Sequence, residues 1–203
     1  MKAYLFLADG FEEVEALTTA DILIRAGVDV KLVKIPAKSD LDKDTTEASP
    51  GSVSECKSVR GSHNIKIKPN LTIGLDTSAD ALLDGDCVIL PGGMPGTKNL
   101  GSSADVIKLI NAYNNSGKIV AAICAAPSVL GENGLLKGKK ATCFPGFEDK
   151  LTGATVENTG AVIDGNIVTG KSMGSAVSFG LAVVEALLGK EAADKVDASI
   201  YRG

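Results

Sequence analysis

The sequence predicts an α/β fold with a doubly wound, mostly parallel sheet and helices on both faces. Short apolar runs alternate with amphipathic segments along most of the 203 residues, which is typical of the strands and helices of such sheets. Gly27, Gly117 and Gly189 follow three of the amphipathic segments, where glycine commonly ends a helix. In this fold ligands bind beyond the carboxyl ends of the strands, so we expect the functional residues there.

The apolar runs predict the strands, and the amphipathic segments predict the helices between them. The predicted strands are residues 2–8, 29–35, 86–91, 118–123, 140–144 and 166–169. The predicted helices are residues 12–26, 103–116 and 174–188, with a short closing helix from Glu191. The apolar faces expected on the first two helices are formed by Ala16, Ala20, Leu23 and Gly27, and by Val106, Leu109, Ile110 and Tyr113.

Length and charge limit the classes of function. The chain is long enough for one domain, 1–203, and residues 36–62 interrupt the pattern as a polar insertion. A net charge of -4 without a Lys/Arg cluster argues against a nucleic-acid partner. No apolar run approaches the roughly 18 residues needed to span a bilayer, and the first strand lacks a signal-peptide cleavage site. We therefore expect a cytoplasmic protein without a membrane partner.

Four cysteines are present, Cys56, Cys87, Cys124 and Cys143, without a CxxC pair or a histidine at metal-ligand spacing. We therefore predict no metal site and reduced thiols. Cys87 and Cys143 lie in or beside predicted strands and are interpreted as packing residues. Cys56 lies in the polar insertion and is expected to be exposed.

Cys124 stands where an apolar strand runs into small residues and then into a helix that has Pro127 near its first turn. This pattern is typical of a nucleophile elbow, in which small neighbours such as Ala125 allow a sharp bend. A thiol at a helix N-terminus is expected to favour its thiolate form. The alternative is a buried structural cysteine, because free cysteine is among the most buried residue types.

Two further turns follow predicted strands. Leu90-Pro-Gly-Gly93 could direct backbone N–H groups toward an anion or oxyanion, or could be an ordinary turn. It lacks the spacing of a phosphate-binding or dinucleotide-binding loop, so no nucleotide cofactor is expected. Asp9-Gly-Phe-Glu-Glu-Val-Glu15 opens the first helix, where carboxylates usually complement the helix dipole.

Taken together, these segments resemble the ThiJ/PfpI superfamily, and within it the branch of the Parkinsonism-associated protein deglycase and its bacterial relatives. The resemblance covers nearly the whole chain. Besides the two turns above, it rests on Ala121-Ala-Ile-Cys-Ala-Ala-Pro127, Phe144-Pro-Gly-Phe-Glu-Asp149 and Glu185-Ala-Leu-Leu-Gly-Lys190. It implies a flavodoxin-like sandwich, similar to class I glutamine amidotransferases, that usually forms a homodimer.

The resemblance also implies roles for individual residues. It makes Cys124 the nucleophile and Glu15 its carboxyl partner, with the amides of Gly92, Gly93 and Ala125 as donors around the site. Because a thiolate and a carboxylate in contact repel, one proton should be retained between them. A protonated Glu15 would then donate to the thiolate and shuttle a proton when sulfur adds to a carbonyl.

Several positions depart from related patterns. Ala125 follows Cys124 where the protease-like branch has histidine, which argues against a protease. The only histidine, His63, either reaches the pocket, across a dimer interface for example, or is a solvated loop residue. Phe144 stands where some relatives have histidine, and Ser172-Met173-Gly174 stands where relatives often have Gly-Pro-Gly, so a different pocket shape is expected.

The functional hypothesis is a cofactor-free, cysteine-dependent glyoxalase or deglycase-like enzyme that acts on a small carbonyl substrate, an α-oxoaldehyde or its early adduct. The alternative is a redox sensor or oxidative-stress chaperone that uses oxidation of Cys124 to sulfenic and sulfinic acid. Both use the same site and differ in turnover. A role in thiamine precursor metabolism has no support in these residues.

Overall fold

The computed structural model describes residues 1–36 and 58–201. Its strands are β1 Lys2–Leu7, β2 Asp29–Lys34, β3 Val59–Arg60, β4 Lys66–Ile67, β5 Leu71–Thr72, β6 Cys87–Leu90, β7 Ile119–Ile123, β8 Lys140–Ala141, β9 Thr155–Val156, β10 Ala161–Asp164 and β11 Ile167–Gly170. Its α-helices are α1 Glu13–Arg25, α2 Gly96–Gly101, α3 Ala104–Asn115, α4 Pro127–Glu132, α5 Ala176–Leu188 and α6 Lys190–Ser199. Within the described ranges, none of these helices has the length and apolar character to cross a membrane.

Seven of the described strands form one sheet in the order β10-β11-β7-β6-β1-β2-β5. The strands pair in parallel except β10, which runs antiparallel to β11 at the edge. The predicted doubly wound, mostly parallel sheet is therefore confirmed. Parallel pairing requires crossover connections, and α1 and α3 supply two of them.

The sheet separates two apolar cores. Along β1, Tyr4 and Phe6 pack into the core that contains α3 and α4, whereas Leu5 and Leu7 pack into the core that contains α1 and α5. This alternation follows from the period of two in a strand, and burial on both faces explains the unbroken apolar runs in the sequence. The predicted apolar faces of α1 and α3 are confirmed by their buried side chains, except that Gly27 lies beyond the end of α1 and is exposed.

Three parts of the sequence prediction are corrected. Residues 140–144 were expected to form a strand of the main sheet, but only Lys140–Ala141 is a strand, and it pairs with β9 in a separate two-stranded sheet. The edge strands β5 and β10 were not predicted, because edge strands are short and only partly buried. Helix α2 was also missed, since its six residues are too few for a periodic pattern.

The predicted polar insertion, residues 36–62, lies largely outside the described residues, as does Cys56. The described end of this insertion, residues 58–62, lies against the turn that follows β1. The N–H of Gly10 donates to the carbonyl of Arg60 at 2.7 Å, and the N–H of Arg60 donates to Asp9 Oδ1 at 2.9 Å. Residues 60–62 therefore lie beside the start of α1.

The carboxyl ends of β1, β6, β7 and β11 lie next to one another in the sheet. Each leads into a segment of small or polar residues: Ala8 to Gly10, Pro91 to Gly93, Cys124 to Ala126, and Lys171 to Gly174. Since parallel strands end at the same edge, these four segments meet there. The fold thereby gathers the residues that the sequence singled out.

Gly170 allows α5 to pack closely on this edge. A Cβ at this position would lie 2.7 Å from Phe179 Cδ2 and 2.9 Å from Ile123 Cγ1. We expect Gly170→Ala to lower the free energy of unfolding by about 1–3 kcal/mol, the usual cost of overpacking a core. Urea unfolding at equilibrium measures the loss.

Gly174→Ala is the matched control. A Cβ there meets only Ser172 Oγ, at 3.9 Å, so the change should stay within about 0.5 kcal/mol. Equal stability of the two variants would contradict the close packing described at Gly170.

Candidate active site

Cys124 occupies a sharp turn between β7 and α4. Its φ of 65° lies in the left-handed region, which costs a residue with a side chain about 1–2 kcal/mol. The N–H of Cys124 donates to the carbonyl of Gly170 at 2.9 Å, and the N–H of Ala126 donates to that of Ile123 at 3.1 Å. The strand therefore ends in a tight turn at the cysteine, with a half-buried side chain.

Small residues make the turn possible. Ala125 and Ala126 are buried directly behind Cys124, and Pro127 opens α4. Strain held at one residue beside a packed strand is a feature of functional sites. The geometry is that of the nucleophile elbow that the sequence predicted.

Glu15 is fully buried in the first turn of α1. Its Oε2 accepts a hydrogen bond from the N–H of Gly92 at 2.9 Å. Among the residues that the structure describes, no donor satisfies Oε1, which is also buried. A buried oxygen without a donor is costly, and more so for a charged carboxylate than for a neutral carboxyl.

The carboxyl of Glu15 and the side chain of Cys124 border the same face of Gly92. A Cβ at Gly92 would lie 2.6 Å from Cys124 Cβ and 2.7 Å from Glu15 Oε2. Any side chain at this position would therefore enter the space between the two groups. The glycine is required by this close approach, since its own backbone has an ordinary φ.

Burial raises the pKa of Glu15 to about 7, although hydrogen bonds from Cys124 and from the Gly92 amide lower it. Burial also raises the pKa of the Cys124 thiol, to about 12, and the charge of Glu15 raises it further. The amides of Ala125 and Gly93 act in the opposite direction on the thiol. The pair thus loses its first proton near neutral pH and holds the second far into the alkaline range.

This result differs from one sequence-based expectation. The helix start was expected to favour the thiolate, but burial and the neighbouring carboxylate raise the thiol pKa more than the local amides lower it. Helix α4 has only six residues and a correspondingly small dipole. Near neutral pH the pair therefore holds one or two protons, and Cys124 is not a free thiolate.

The three predicted amide donors have two different partners. The amides of Ala125 and Gly93 lower the pKa of the Cys124 thiol, whereas the amide of Gly92 donates to Glu15. Gly92 therefore orients the carboxyl. Gly93 and Ala125 remain as the candidate oxyanion donors.

Gly93 joins this turn to the turn after β1. Its φ of 87° is left-handed, and a Cβ would lie 2.6 Å from the carbonyl oxygen of Gly10. The N–H of Glu12 donates to the carbonyl of Gly92 at 2.9 Å. Two glycine-containing turns thus pack backbone against backbone, which sets the start of α1 beside Cys124.

His63 does not contact Cys124 through any hydrogen bond or ion pair found among the described residues. Its Nδ1 lies 2.9 Å from Glu13 Oε2 and 3.8 Å from Glu12 Oε1, and 70% of its side chain is exposed. Hydrogen bonding to Glu13 raises the pKa of His63. The structure places His63 at the surface beside the start of α1.

Glu13 is a buried anchor for the segment that carries His63. Its Oε1 accepts from the N–H of His63 at 2.8 Å and from that of Ile65 at 3.4 Å, and Ser62 Oγ donates to Oε2 at 3.2 Å. The donor atoms of Glu12, Glu13 and His63 lie within 4.8 Å of one another, so these residues could hold a cation. The hydrogen bonds to Glu13 already account for the arrangement, and the lack of a metal cofactor stays a prediction.

The two other predicted pocket residues are Phe144 and Ser172. The N–H of Phe144 donates to the carbonyl of Cys124 at 2.8 Å, and its side chain is 44% exposed. Ser172 is half-buried in extended backbone two residues beyond β11, and its carbonyl accepts from Ser175 at 2.8 Å. Phe144 therefore adjoins the elbow directly.

The remaining described cysteines, Cys87 and Cys143, are free and buried. Burial raises the pKa of both thiols, to about 11 for Cys143. Cys143 packs in the core on one face of the sheet, whereas Cys124 packs against the core on the other face. Their interpretation as packing residues agrees with this burial.

Sequence reasoning missed two positioning residues. Glu12 caps α1, because its Oε2 accepts from the N–H of Glu15 at 3.0 Å. Glu13 was assigned only to the helix dipole, but it binds the segment that follows the insertion. The spacing Glu12-x-x-Glu15 resembles a capping box and could have indicated the first role; a contact 50 residues away along the chain leaves no local signal for the second.

A family model, the DJ-1/PfpI family, matches residues 1–186. Protein dj-1beta of Drosophila melanogaster is 32% identical over 196 residues, which cover 96% of this chain and 93% of the fly protein. Protein DJ-1 homolog B of Arabidopsis thaliana is 34% identical over 199 residues. The chain spans only 40% of the length of that plant protein.

Solved structures agree with these relatives. Drosophila melanogaster DJ-1beta superposes with a TM-score of 0.80 at 31% identity, covering 100% of this chain and 98% of the other. Oxidized Toxoplasma gondii DJ-1 has a TM-score of 0.79 at 30% identity, covering 98% and 97%. The elbow, the buried glutamate and these comparisons together show that the chain belongs to the DJ-1/PfpI family.

Proposed function

We propose that the protein is a cofactor-free enzyme in which Cys124 attacks the carbonyl of an α-oxoaldehyde or of its early adduct with an amine or thiol. The observation that carries the proposal is the buried carboxyl of Glu15 beside Cys124, with a pKa of about 7. A general acid and base is most effective when its pKa lies near the working pH. The pair therefore supplies a nucleophile and a proton carrier together.

The reaction is redox-neutral overall. The sulfur of Cys124 bonds to the aldehyde carbon, and the aldehyde oxygen takes up the proton that the pair holds, which gives a hemithioacetal. Glu15 then removes the proton from that carbon and returns a proton to the adjacent ketone carbon, while the hemithioacetal hydroxyl gives up its proton to the former ketone oxygen and becomes the carbonyl of a thioester. The resulting thioester is hydrolysed by water to a 2-hydroxy acid, which restores the thiol.

The surrounding groups fit the charges that develop in these steps. The amides of Gly93 and Ala125, which act on the sulfur in the free protein, can stabilise negative charge on a neighbouring oxygen once the sulfur is bonded to carbon. The amide of Gly92 fixes Oε2 of Glu15, leaving Oε1 as the oxygen that carries the proton. A carboxyl with one bonded and one unsatisfied oxygen is suited to repeated proton transfer.

The alternative function is a redox sensor or stress chaperone that uses oxidation of Cys124. Its support is the same partly accessible sulfur, together with the relative from Toxoplasma gondii whose structure is of the oxidized protein. A protonated Glu15 could donate a hydrogen bond to a sulfinate oxygen. Both functions require the Cys124 thiolate, so turnover and not the pKa of the thiol distinguishes them.

Substitution of Cys124 tests the enzyme directly. We expect Cys124→Ser to reduce methylglyoxal consumption by at least about a thousandfold, because a serine hydroxyl without a stronger base is a poor nucleophile. Steady-state loss of the aldehyde and appearance of lactate, followed by NMR, measure the rate. Cys143→Ala is the matched control and should retain activity, since that thiol lies in the core on the other face of the sheet.

The same assay separates the two functions. Suppose that peroxide adds two oxygen atoms to Cys124, as seen by mass spectrometry, and that the untreated protein does not turn over the aldehyde. That combination would support the sensor and contradict the enzyme.

The raised pKa of Glu15 predicts a pH-dependent stability. Between the ordinary value of 4.5 and about 7, the folded protein binds more protons at this site than the unfolded chain, so stability falls as pH rises. Glu15→Gln removes this effect, and we expect it to gain on the order of 3 kcal/mol relative to the parent between pH 4 and pH 8. Urea unfolding across that range measures the difference.

Glu13→Gln provides a control of opposite sign. Hydrogen bonds from His63 and neighbouring amides lower the pKa of Glu13, so its contribution is present above its ordinary pKa and is lost as pH falls. This variant should lose stability relative to the parent at neutral pH. Parallel stability curves for the parent and Glu15→Gln would show that Glu15 has an ordinary pKa.

We also propose that the chain forms a homodimer through α1. Val14, Leu17 and Ile24 expose 44%, 38% and 58% of their surface on this helix. A shallow depression of about 470 Å³ adjoins Leu17 and is lined by α1, Val177 and Ile200. It contains neither Cys124 nor Glu15, which favours a protein contact there over a substrate site. The family resemblance supports a second copy of this chain as the occupant.

Sedimentation velocity tests the dimer. Leu17→Lys should shift the protein from dimer to monomer, because burying an unpaired ammonium in an interface is unfavourable. Ile163→Lys, at an equally exposed apolar position on β10, should leave the dimer intact. A monomeric parent protein, or equal behaviour of the two variants, would contradict the assignment.

A further inference from the structure

Three exposed apolar residues lie in segments whose main chain is tied to the Cys124 elbow. Met94, Phe144 and Met173 expose 55%, 44% and 51% of their surface. Isolated exposed apolar residues are common on protein surfaces. These three differ because each lies in the segment that approaches the elbow from a different part of the fold.

The backbone contacts establish this convergence. The N–H of Phe144 donates to the carbonyl of Cys124 at 2.8 Å. Met94 directly follows Gly93, whose amide acts on the sulfur of Cys124. Met173 lies three residues beyond Gly170, whose carbonyl accepts the N–H of Cys124 at 2.9 Å. All three segments are thus tied to the cysteine by main-chain groups.

Polar residues also lie near the elbow. Glu12 and the exposed His63 lie at the start of α1, with the N–H of Glu12 bonded to the carbonyl of Gly92. The segments around Cys124 therefore carry charged groups at the start of α1 and exposed apolar groups at Met94, Phe144 and Met173.

We propose that Met94, Phe144 and Met173 form an apolar rim that binds the substituent of the substrate, so that the protein prefers α-oxoaldehydes with an aromatic or branched apolar group over methylglyoxal and glyoxal. The inference deepens the proposed function and rests on Cys124 as the reacting group. Thioethers adapt to ligands of different shape, and the phenylalanine ring adds a flat contact for an aromatic group. An exposed rim gains its stabilisation only when a substituent covers it.

Turnover of phenylglyoxal and methylglyoxal gives the first test. Met94→Gln, Phe144→Gln and Met173→Gln are combined in one variant, which keeps side-chain length at the two methionines while removing apolar surface. We expect kcat/KM for phenylglyoxal relative to that for methylglyoxal to fall about tenfold, mainly through KM, as expected for loss of a modest apolar contact. Leu75→Gln, at a 63% exposed apolar residue that the site does not use, should leave the ratio unchanged.

A second measurement does not need turnover. The rates at which N-phenylmaleimide and N-methylmaleimide alkylate Cys124 are each divided by the rate with a free thiol. The parent should favour the phenyl reagent, and the triple variant should lose that preference by a similar factor.

The two measurements separate the claims. If the parent and the triple variant turn over α-oxoaldehydes with the same preference for phenylglyoxal, and also show the same preference between the two maleimides, the rim is overturned. The proposed enzyme is then unaffected. A maleimide preference that depends on the rim, without turnover of any α-oxoaldehyde, supports the rim and overturns the proposed enzyme. Equal alkylation by both reagents in the parent also overturns the rim.

Discussion

The structure of the site depends on one interaction, the contact between the buried carboxyl of Glu15 and the side chain of Cys124. Burial raises the pKa of both groups, and the charge of Glu15 raises the pKa of the Cys124 thiol further, whereas a hydrogen bond from Cys124 lowers the pKa of Glu15. Two acidic groups that share a dry site retain a proton that exposed groups would have lost. That retained proton is what makes a thiol on a strained turn into a candidate catalyst instead of a packing residue.

The surrounding fold brings this pair together by close backbone packing, which excludes side chains at some positions. Gly92 lies against both members, so the position accepts no Cβ, and Gly93 lets the turn approach the backbone at Gly10. Glu12 caps the helix that carries Glu15, and Gly170 continues the β7–β11 ladder through the cysteine. Residues that take no part in the chemistry therefore determine whether the two reacting groups meet.

Much of this arrangement could be predicted from the sequence. Strands buried on both faces give unbroken apolar runs, and the amphipathic faces of α1 and α3 give a clear helical period, so the fold class and the elbow at Cys124 were predictable. The edge strands β5 and β10 were not, because they are short and only partly buried, and α2 was not, because six residues are too few to show a helical period. The bonding of Gly92 to Glu15, and of Glu13 to the segment around His63, joins residues distant along the chain and has no local signal. Glu15 itself was identified through the family resemblance, since a glutamate in a first helical turn usually has only a capping role.

The most direct test of this account is the titration of Glu15 in the folded protein, followed by NMR of ¹³C-labelled glutamate carboxyl groups, with Glu15→Gln used to assign the signal. The account predicts a midpoint near 7, because burial beside Cys124 disfavours the carboxylate. A midpoint near the ordinary value of 4.5 would show a carboxylate that is charged throughout the neutral range. That result would leave no proton on Glu15 near pH 7, and would contradict its proposed role as the proton carrier for Cys124.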